Sequence, residues 1–396
     1  MAVFMGCVSA GDDNAALGSD IVIDQNTNEI LAVEESSAGE DVSGLNELEN
    51  ENLGENRSVE GNTFEDIQTA IANSNPGDTI ILNGLYTGSG TQINVDKYNL
   101  TFIGENNATL DAKGLSRIIN IDYYGKYITL KNISFINGYG YDGGAIFWNG
   151  DNGTVSGCCF ENNTASYGSA IYWNGVNGTV SGCSFVNNTA DDGGAINWWG
   201  INGTVSGCSF VNNNATDEYG GAIAFKGYYG RVFNCTFENN SANFGGGAIY
   251  MYGYNITVFN CSFMNNSAYM YGGALFIFEN STINDCSFVN NYAVQGGGAI
   301  TFDGGIDTYL TSVAIISNCS FVNNTATGEI GGSAVLSVVK LIISDSKFID
   351  NKCLSISLEL NNNSLTFKGM QNYINAINTF YEPQDVVLSS ALVRSD

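Results

Sequence analysis

The sequence predicts a parallel β-solenoid, on three observations. A unit of about 25 residues repeats through most of the chain, it consists of short apolar runs broken by turn residues, and equivalent positions carry the same side chain. The clearest unit reads Asn177-Gly-Thr-Val-Ser-Gly-Cys-Ser-Phe-Val-Asn-Asn-Thr-Ala-Asp-Asp-Gly-Gly-Ala-Ile196. Its phenylalanine recurs at Phe135, Phe160, Phe185, Phe210, Phe237, Phe263, Phe288, Phe321 and Phe348, in steps of 25, 25, 25, 27, 26, 25, 33 and 27. Gly-Gly-Ala-Ile begins at Gly143, Gly193, Gly220, Gly246 and Gly297, and at Gly272 with Leu275 in place of Ile, with variants at Gly168 and Gly332. A unit of this length with two or three strands and no helical period is one coil of a solenoid.

The columns assign the faces. Ile146, Ile171, Ile196, Ile223, Ile249, Leu275 and Ile300 form one column. Two residues on stand Trp148, Trp173, Trp198, Phe225, Met251, Ile277 and Phe302. Residues two apart share a strand face, so both columns point inward. Val155, Val180, Val205, Val232, Val258 and Ile283 form a second inward strand. Three residues later comes Cys158, Cys183, Cys208, Cys235, Cys261, Cys286 and Cys319, with the phenylalanines two further on. Three is odd, so the chain must bend between Val and Cys, and Ser-Gly at 156–157, 181–182 and 206–207 supplies the bend. Asn163, Asn188, Asn213, Asn240, Asn266, Asn291 and Asn324 follow Phe at a turn, where stacked amides can bond from coil to coil.

Open solenoid ends need covers. Thr63 is a good helix N-cap with Asp66 as its capping-box partner. Phe64, Ile67 and Ile71 lie on one helical face before Asn-Pro-Gly-Asp ends the helix. The solenoid is expected over 62–355, about ten coils, followed by a C-terminal segment 356–396 with no readable cap. Residues 1–66 hold 16 acids and one base, and 11–61 reads as a solvated acidic segment. Ahead of it, 1–10 is a short apolar run ending in small residues, as at the end of a secretory signal, though without a positive region before it.

Composition removes function classes. The 396 residues include 40 Asp plus Glu, 13 Lys plus Arg and no His, for a formal charge of −27. Without imidazole there is no Ser-His dyad and no His-ligated metal. Without a basic stripe nucleic acid is a poor partner. No apolar run is long enough for a membrane-spanning helix. Seven of the ten cysteines share one buried column, whose parallel side chains suit a free, packed stack better than disulfides or a metal site. The 19 Asn-x-Ser/Thr triplets, such as Asn152-Gly-Thr154, follow from the repeat's composition, and glycosylation at exposed ones is an expectation only.

These residues carry a resemblance. The segment Phe64 to Leu110, with Pro-Gly-Asp-Thr-Ile-Ile-Leu and Leu-Thr-Phe-Ile-Gly-Glu-Asn, resembles the entry of pectin-lyase-like right-handed β-helices. The Gly-Gly-Ala-Ile and Phe-x-x-Asn repeats are similar to those of adhesin-like surface proteins of methanogenic archaea and of chlamydial polymorphic outer-membrane proteins. The likeness spans about 62–380. It implies an all-β, right-handed, single-stranded parallel β-helix, located outside the cell or on its surface, that presents a rigid rod to glycans or partner cells without catalysis. Gln371-Asn-Tyr-Ile-Asn-Ala-Ile is similar to a segment that leads onward to further domains in those adhesins, so the chain reads as a truncated member.

Pectin-lyase-like folds also include polysaccharide lyases and glycoside hydrolases, the alternative. Polygalacturonases in that group use a carboxylate cluster with a His and an Arg-x-Lys pair, which this chain lacks. Between Tyr139 and Tyr309 its only bases are Lys226 and Arg231. If it were an enzyme, Asp192 and Glu218 on adjacent coils would be the catalytic pair, at a spacing a retaining glycosidase could use. Asp191, Asp192, Asp217 and Glu218 are the candidates for a weak Ca²⁺ site. Tyr167, Phe244, Tyr271 and Gln295 fill the same turns elsewhere, so these acids read more simply as solvated turn decoration.

Alternation places Phe147, Tyr172, Asn197, Ala224, Tyr250 and Phe276 outward, beside Asn149, Asn174, Trp199, Lys226, Tyr252 and Phe278. Of these, Phe147, Tyr172, Trp199, Tyr250, Tyr252, Phe276 and Phe278 are the expected ligand contacts. A stripe of rings and amides suits a neutral sugar chain. A partner protein, or a loop lying over the stripe, fits the same pattern. The insertion Asp303–Thr311 lengthens a loop beside this face.

Overall fold

The structure is a computed structural model that describes residues 54–304, 312–328, 332–337 and 339–353, with short strands at Asn375–Ala376 and Val387–Ser389. The expected signal remnant, most of the acidic segment, most of the Asp303–Thr311 insertion and nearly all of 356–396 lie outside the described residues.

Each coil contributes four short strands. In one coil they are Ile171–Trp173, Thr179–Ser181, Ser184–Val186 and Thr189–Asp192. Every strand pairs parallel and in register with its equivalent one coil on: Ile171 with Ile196, Val180 with Val205, Phe185 with Phe210, and Ala190 with Ala215. The Ile strands stack into an 11-stranded sheet and the Ala strands into a 9-stranded one. Towards the N-terminus the Val and Phe strands merge, so that Thr101–Asp111 pairs with both Thr129–Lys131 and Ser134–Ile136. The molecule is a right-handed parallel β-helix of about 11 turns.

Columns become stacks. Rings from Phe135 to Phe348 lie parallel at centroid spacings such as 4.9 Å for Phe135–Phe160 and 4.6 Å for Phe185–Phe210. Trp148, Trp173 and Trp198 stack at 4.2 and 4.6 Å, fully buried. Their indole N–H groups find no acceptor. The glycine of Asn-Gly-Thr is there for these rings: a Cβ on Gly178 would sit 2.4 Å from the Trp173 indole, and one on Gly153 2.2 Å from Trp148.

The Val-to-Cys bend is made by one residue in the left-handed region, Gly182 at φ +59°, with Asn234 and Asn260 at the same place in later coils. Gly and Asn occupy that region at least cost. A second left-handed residue, Asn187, precedes the buried Asn188. The ladder forms as expected. Asn188 Nδ2 donates to Asn213 Oδ1 at 3.0 Å and to the Phe160 carbonyl at 3.0 Å, while Asn188 Oδ1 accepts from Asn163 Nδ2 and from its backbone N–H. The seven column cysteines are free and buried. The sulfurs of Cys183, Cys208, Cys235 and Cys319 accept weakly from the backbone N–H of the preceding coil's cysteine, at 3.4 Å for Cys183 to Cys208.

The N-terminal helix spans Phe64–Ala72, with Thr63 and Asp66 forming the capping box and Phe64, Ile67 and Ile71 buried on the first coil. One feature differs from the sequence reading. Asn56–Ser58, inside the expected acidic segment, is a strand parallel to Thr79–Ile81. Arg57, the one base in that segment, pairs with the buried Asp78 and holds the strand in place.

Candidate functional flank

The candidate residues lie on the flank where the chain passes from the Ala strands to the Ile strands. Gly143, Gly168 and Gly193 turn the chain between the two sheets at φ +55 to +65°. A Cβ on Gly168 would meet the Ile171 carbonyl oxygen at 2.3 Å, so the tight turn requires glycine. In this short-turn region the flank is aromatic. Phe147 stacks on Tyr172 at 5.5 Å and 8°, with the Arg117 guanidinium 5.0 Å over Phe147. Tyr141 meets Tyr167 edge-on at 5.6 Å. Both Phe147 and Tyr172 are half-buried, and burial pushes the Tyr172 phenol up to about 12. Along the outer edge Asn174 Nδ2 donates to Asn149 Oδ1 at 2.8 Å.

The expected stripe is interrupted further along. Two residues separate Ala190 from Gly193, but four separate Ala215 from Gly220 and three separate Ala242 from Gly246. These longer turns bring Tyr219, Phe244 and Tyr271 over the outer face of the Ile sheet, where they form a second apolar cluster with Ala224, Tyr250 and Phe276. Tyr250 is 5% exposed and Phe276 1%. Both point away from the central core as alternation requires, yet neither is open to a ligand. Phe278 is half-buried against the same cluster, whereas Trp199 is 49% and Tyr252 55% exposed.

Asp192 is not solvated. It is fully buried, with Asn197 Nδ2 donating to its Oδ2 at 2.9 Å and Lys226 Nζ, from the next coil, in contact with the same oxygen. The Lys226 side chain is itself 14% exposed and lies 4.8 Å over the Trp199 ring. Asn197 Oδ1 is buried without a hydrogen-bond partner. Glu218 stays exposed on its turn, and its carboxyl is shifted upward by partial desolvation and then by the charge of Asp192. With Asp192 buried behind Lys226, the pair expected for glycosidase chemistry does not present two carboxylates to one bond. The four acids do not converge on a cation either: Asp191 Oδ1 accepts from Thr216, and no cluster of three or more His, Cys, Asp or Glu suited to a metal occurs among the described residues. The clue to the ion pair was present in the columns, since Lys226 follows Trp199 in register one coil beyond Asp192.

The fold and this flank define a right-handed β-helix with one aromatic, partly open edge. The family model for a right-handed beta helix region matches residues 167–305. Three solved structures are similar. A mannuronic-acid-specific polysaccharide family 6 lyase from human gut microbiota is 16% identical, with 76% of this chain and 83% of that one covered at a TM-score of 0.50. The ORF18 protein of Geobacillus virus E2 is 13% identical, covering 74% and 61% at 0.49. The polygalacturonase from Erwinia carotovora ssp. carotovora is 13% identical, covering 81% and 98% at 0.46. At 16% identity and a TM-score of 0.50, the likeness to the first shows a shared fold alone. No curated protein matches the sequence. No helix among the described residues is long and apolar enough to cross a membrane.

Proposed function

We propose that the chain is a non-catalytic, adhesin-like surface protein whose rod binds extended glycan chains along the open aromatic edge. One observation carries this reading: Phe147, Tyr172, Trp199 and Tyr252 stay at least partly accessible on one flank, in four of five successive coils, beside the bonded amides of Asn149 and Asn174. Strands of a sheet repeat at about 4.8 Å, so the flank meets a polymer with stacking faces and donors at multiples of that spacing. Sugar rings stack on aromatic faces while amides pair with hydroxyls. The excess of acid disfavours polyanions as ligands. Retention of the full chain on a panel of neutral cell-wall polysaccharides, with simultaneous assay for released reducing or unsaturated ends, tests the proposal. Retention without release supports it.

A second reading, a polysaccharide lyase or glycoside hydrolase, is favoured by Glu218 alone. Its raised carboxyl beside Lys226 has the character of a functional-site acid. Release of sugar ends that is lost in Glu218→Gln would establish it.

A further inference from the structure

The contact between Lys226 and Asp192 holds, we infer, an intramolecular amide cross-link: the two side chains condense, with Glu218 carrying the proton, and join successive coils covalently. The inference is independent of the glycan reading.

Burial is the first ground. Asp192 is fully enclosed and Lys226 nearly so, with Nζ against Oδ2 and the Trp199 and Tyr167 rings 4.8 and 6.0 Å from the amine. An ion pair removed from water loses solvation that mutual attraction repays poorly. Condensation to an amide removes both charges at once. Rigid placement is the second ground. Both residues belong to stacked coils of one β-helix, and oriented groups react with effective molarities on the order of 10⁵ M or more.

The surrounding groups fit the chemistry. Asn197 Nδ2, 2.9 Å from Asp192 Oδ2, polarises the carboxyl that is attacked. Asn197 Oδ1, buried and unpaired, is an acceptor in the same cluster for the N–H that an amide brings. Glu218 lies close enough for the Asp192 charge to raise its pKa, which suits a proton carrier. Glu218 takes one proton from the Lys226 ammonium, Nζ attacks Cγ of Asp192, and one N–C bond forms. One C–O bond then breaks as the departing oxygen takes two protons, the one held by Glu218 and a second from Nζ, and leaves as one water, while the amide nitrogen keeps the third hydrogen. Nothing is oxidised or reduced.

Peptide mapping of the full chain tests this. Among residues 132–231 trypsin has sites only at Lys226 and Arg231. After reduction and denaturation, the cross-linked protein gives a single fragment Asn132–Arg231, one water lighter than its sequence and uncut at Lys226. Cleavage after glutamates then releases 162–218 and 219–231 as a joined pair. Lys226→Arg and Glu218→Gln abolish the mass loss, and Asp192→Asn gives loss of ammonia in place of water. The wild-type map decides even where a variant fails to fold. Full cleavage after Lys226 with sequence masses overturns the inference. So does a water loss with Lys226 still cut, which marks a cyclic imide at Asp192-Gly193.

Discussion

The ring of Tyr219 lies stacked on that of Tyr250, centroids 4.3 Å apart and planes 19° from parallel. A turn residue of one coil thereby roofs the outward face of the next coil's Ile strand. The contact divides the aromatic stripe into a packed part and an open part. Tyr250→Ala is accordingly expected to cost about 3–5 kcal/mol, as for other buried aromatics, whereas Tyr252→Ala should stay within about 0.5 kcal/mol. Urea unfolding of the two variants checks the contrast, and equal effects would contradict the roof.

The asparagine ladder predicts a larger loss than its surface neighbours do. Asn213 Oδ1 accepts from the side chain and backbone of Asn188, and its Nδ2 donates to Asn240 and to the Phe185 carbonyl. Asn213→Ala would leave several of these buried groups unpaired, at about 1–3 kcal/mol each. A reduction of about 3 kcal/mol or more in unfolding free energy is expected. A change below 1 kcal/mol would show the ladder to be dispensable.

Two glycines of one coil should respond oppositely. Gly178 has no room for a Cβ against Trp173, so Gly178→Ala should destabilise by about 1–3 kcal/mol. Gly182 has only a backbone nitrogen at 3.9 Å and needs its positive φ, which Asn adopts at the equivalent Asn234. Gly182→Asn should therefore be near neutral, and Gly182→Val clearly destabilising. Thermal unfolding of the three variants is the check.

Acidification should first stabilise and then destabilise the fold. Desolvation raises the carboxyls of Asp142 and Asp303 above their ordinary 3.8, and that of Glu218 above 4.5. Each binds its proton more tightly when folded, so its cost to stability is present at neutral pH and is relieved as pH falls through the raised value. Asp66 is held below 3.8 by hydrogen bonds from the Thr63 hydroxyl and backbone. Its contribution is lost as pH falls below that value. Tm should therefore rise from pH 7 towards the upper carboxylate range and fall below 3.8. A monotonic decline from pH 7 would contradict the assignment.

The fold was legible because a solenoid repeats its environment. Ile171, Val180, Phe185 and Asn188 recur at one spacing, and each recurrence marks a column whose register the structure reproduces. The left-handed role of Asn187, the clearance that Gly178 gives to Trp173, and the strand at Arg57 were not. They depend on backbone torsions and on contacts between rows that alternation does not specify. The flank was legible in direction but not in accessibility. Tyr250 and Trp199 both point outward, and only the length of the turn carrying Tyr219 decides which one is covered. Asp192 looked like a solvated turn acid because its partner, Lys226, arrives 34 residues later from the next coil.

The most direct test of the glycan reading is retention of the full chain on neutral polysaccharides, comparing wild type with Trp199→Ala/Tyr252→Ala, two exposed positions whose loss leaves the core intact. Retention by the wild type that falls at least tenfold in the variant, with no sugar ends released, is the predicted result. Equal retention of both proteins, or release of sugar ends, would contradict the account.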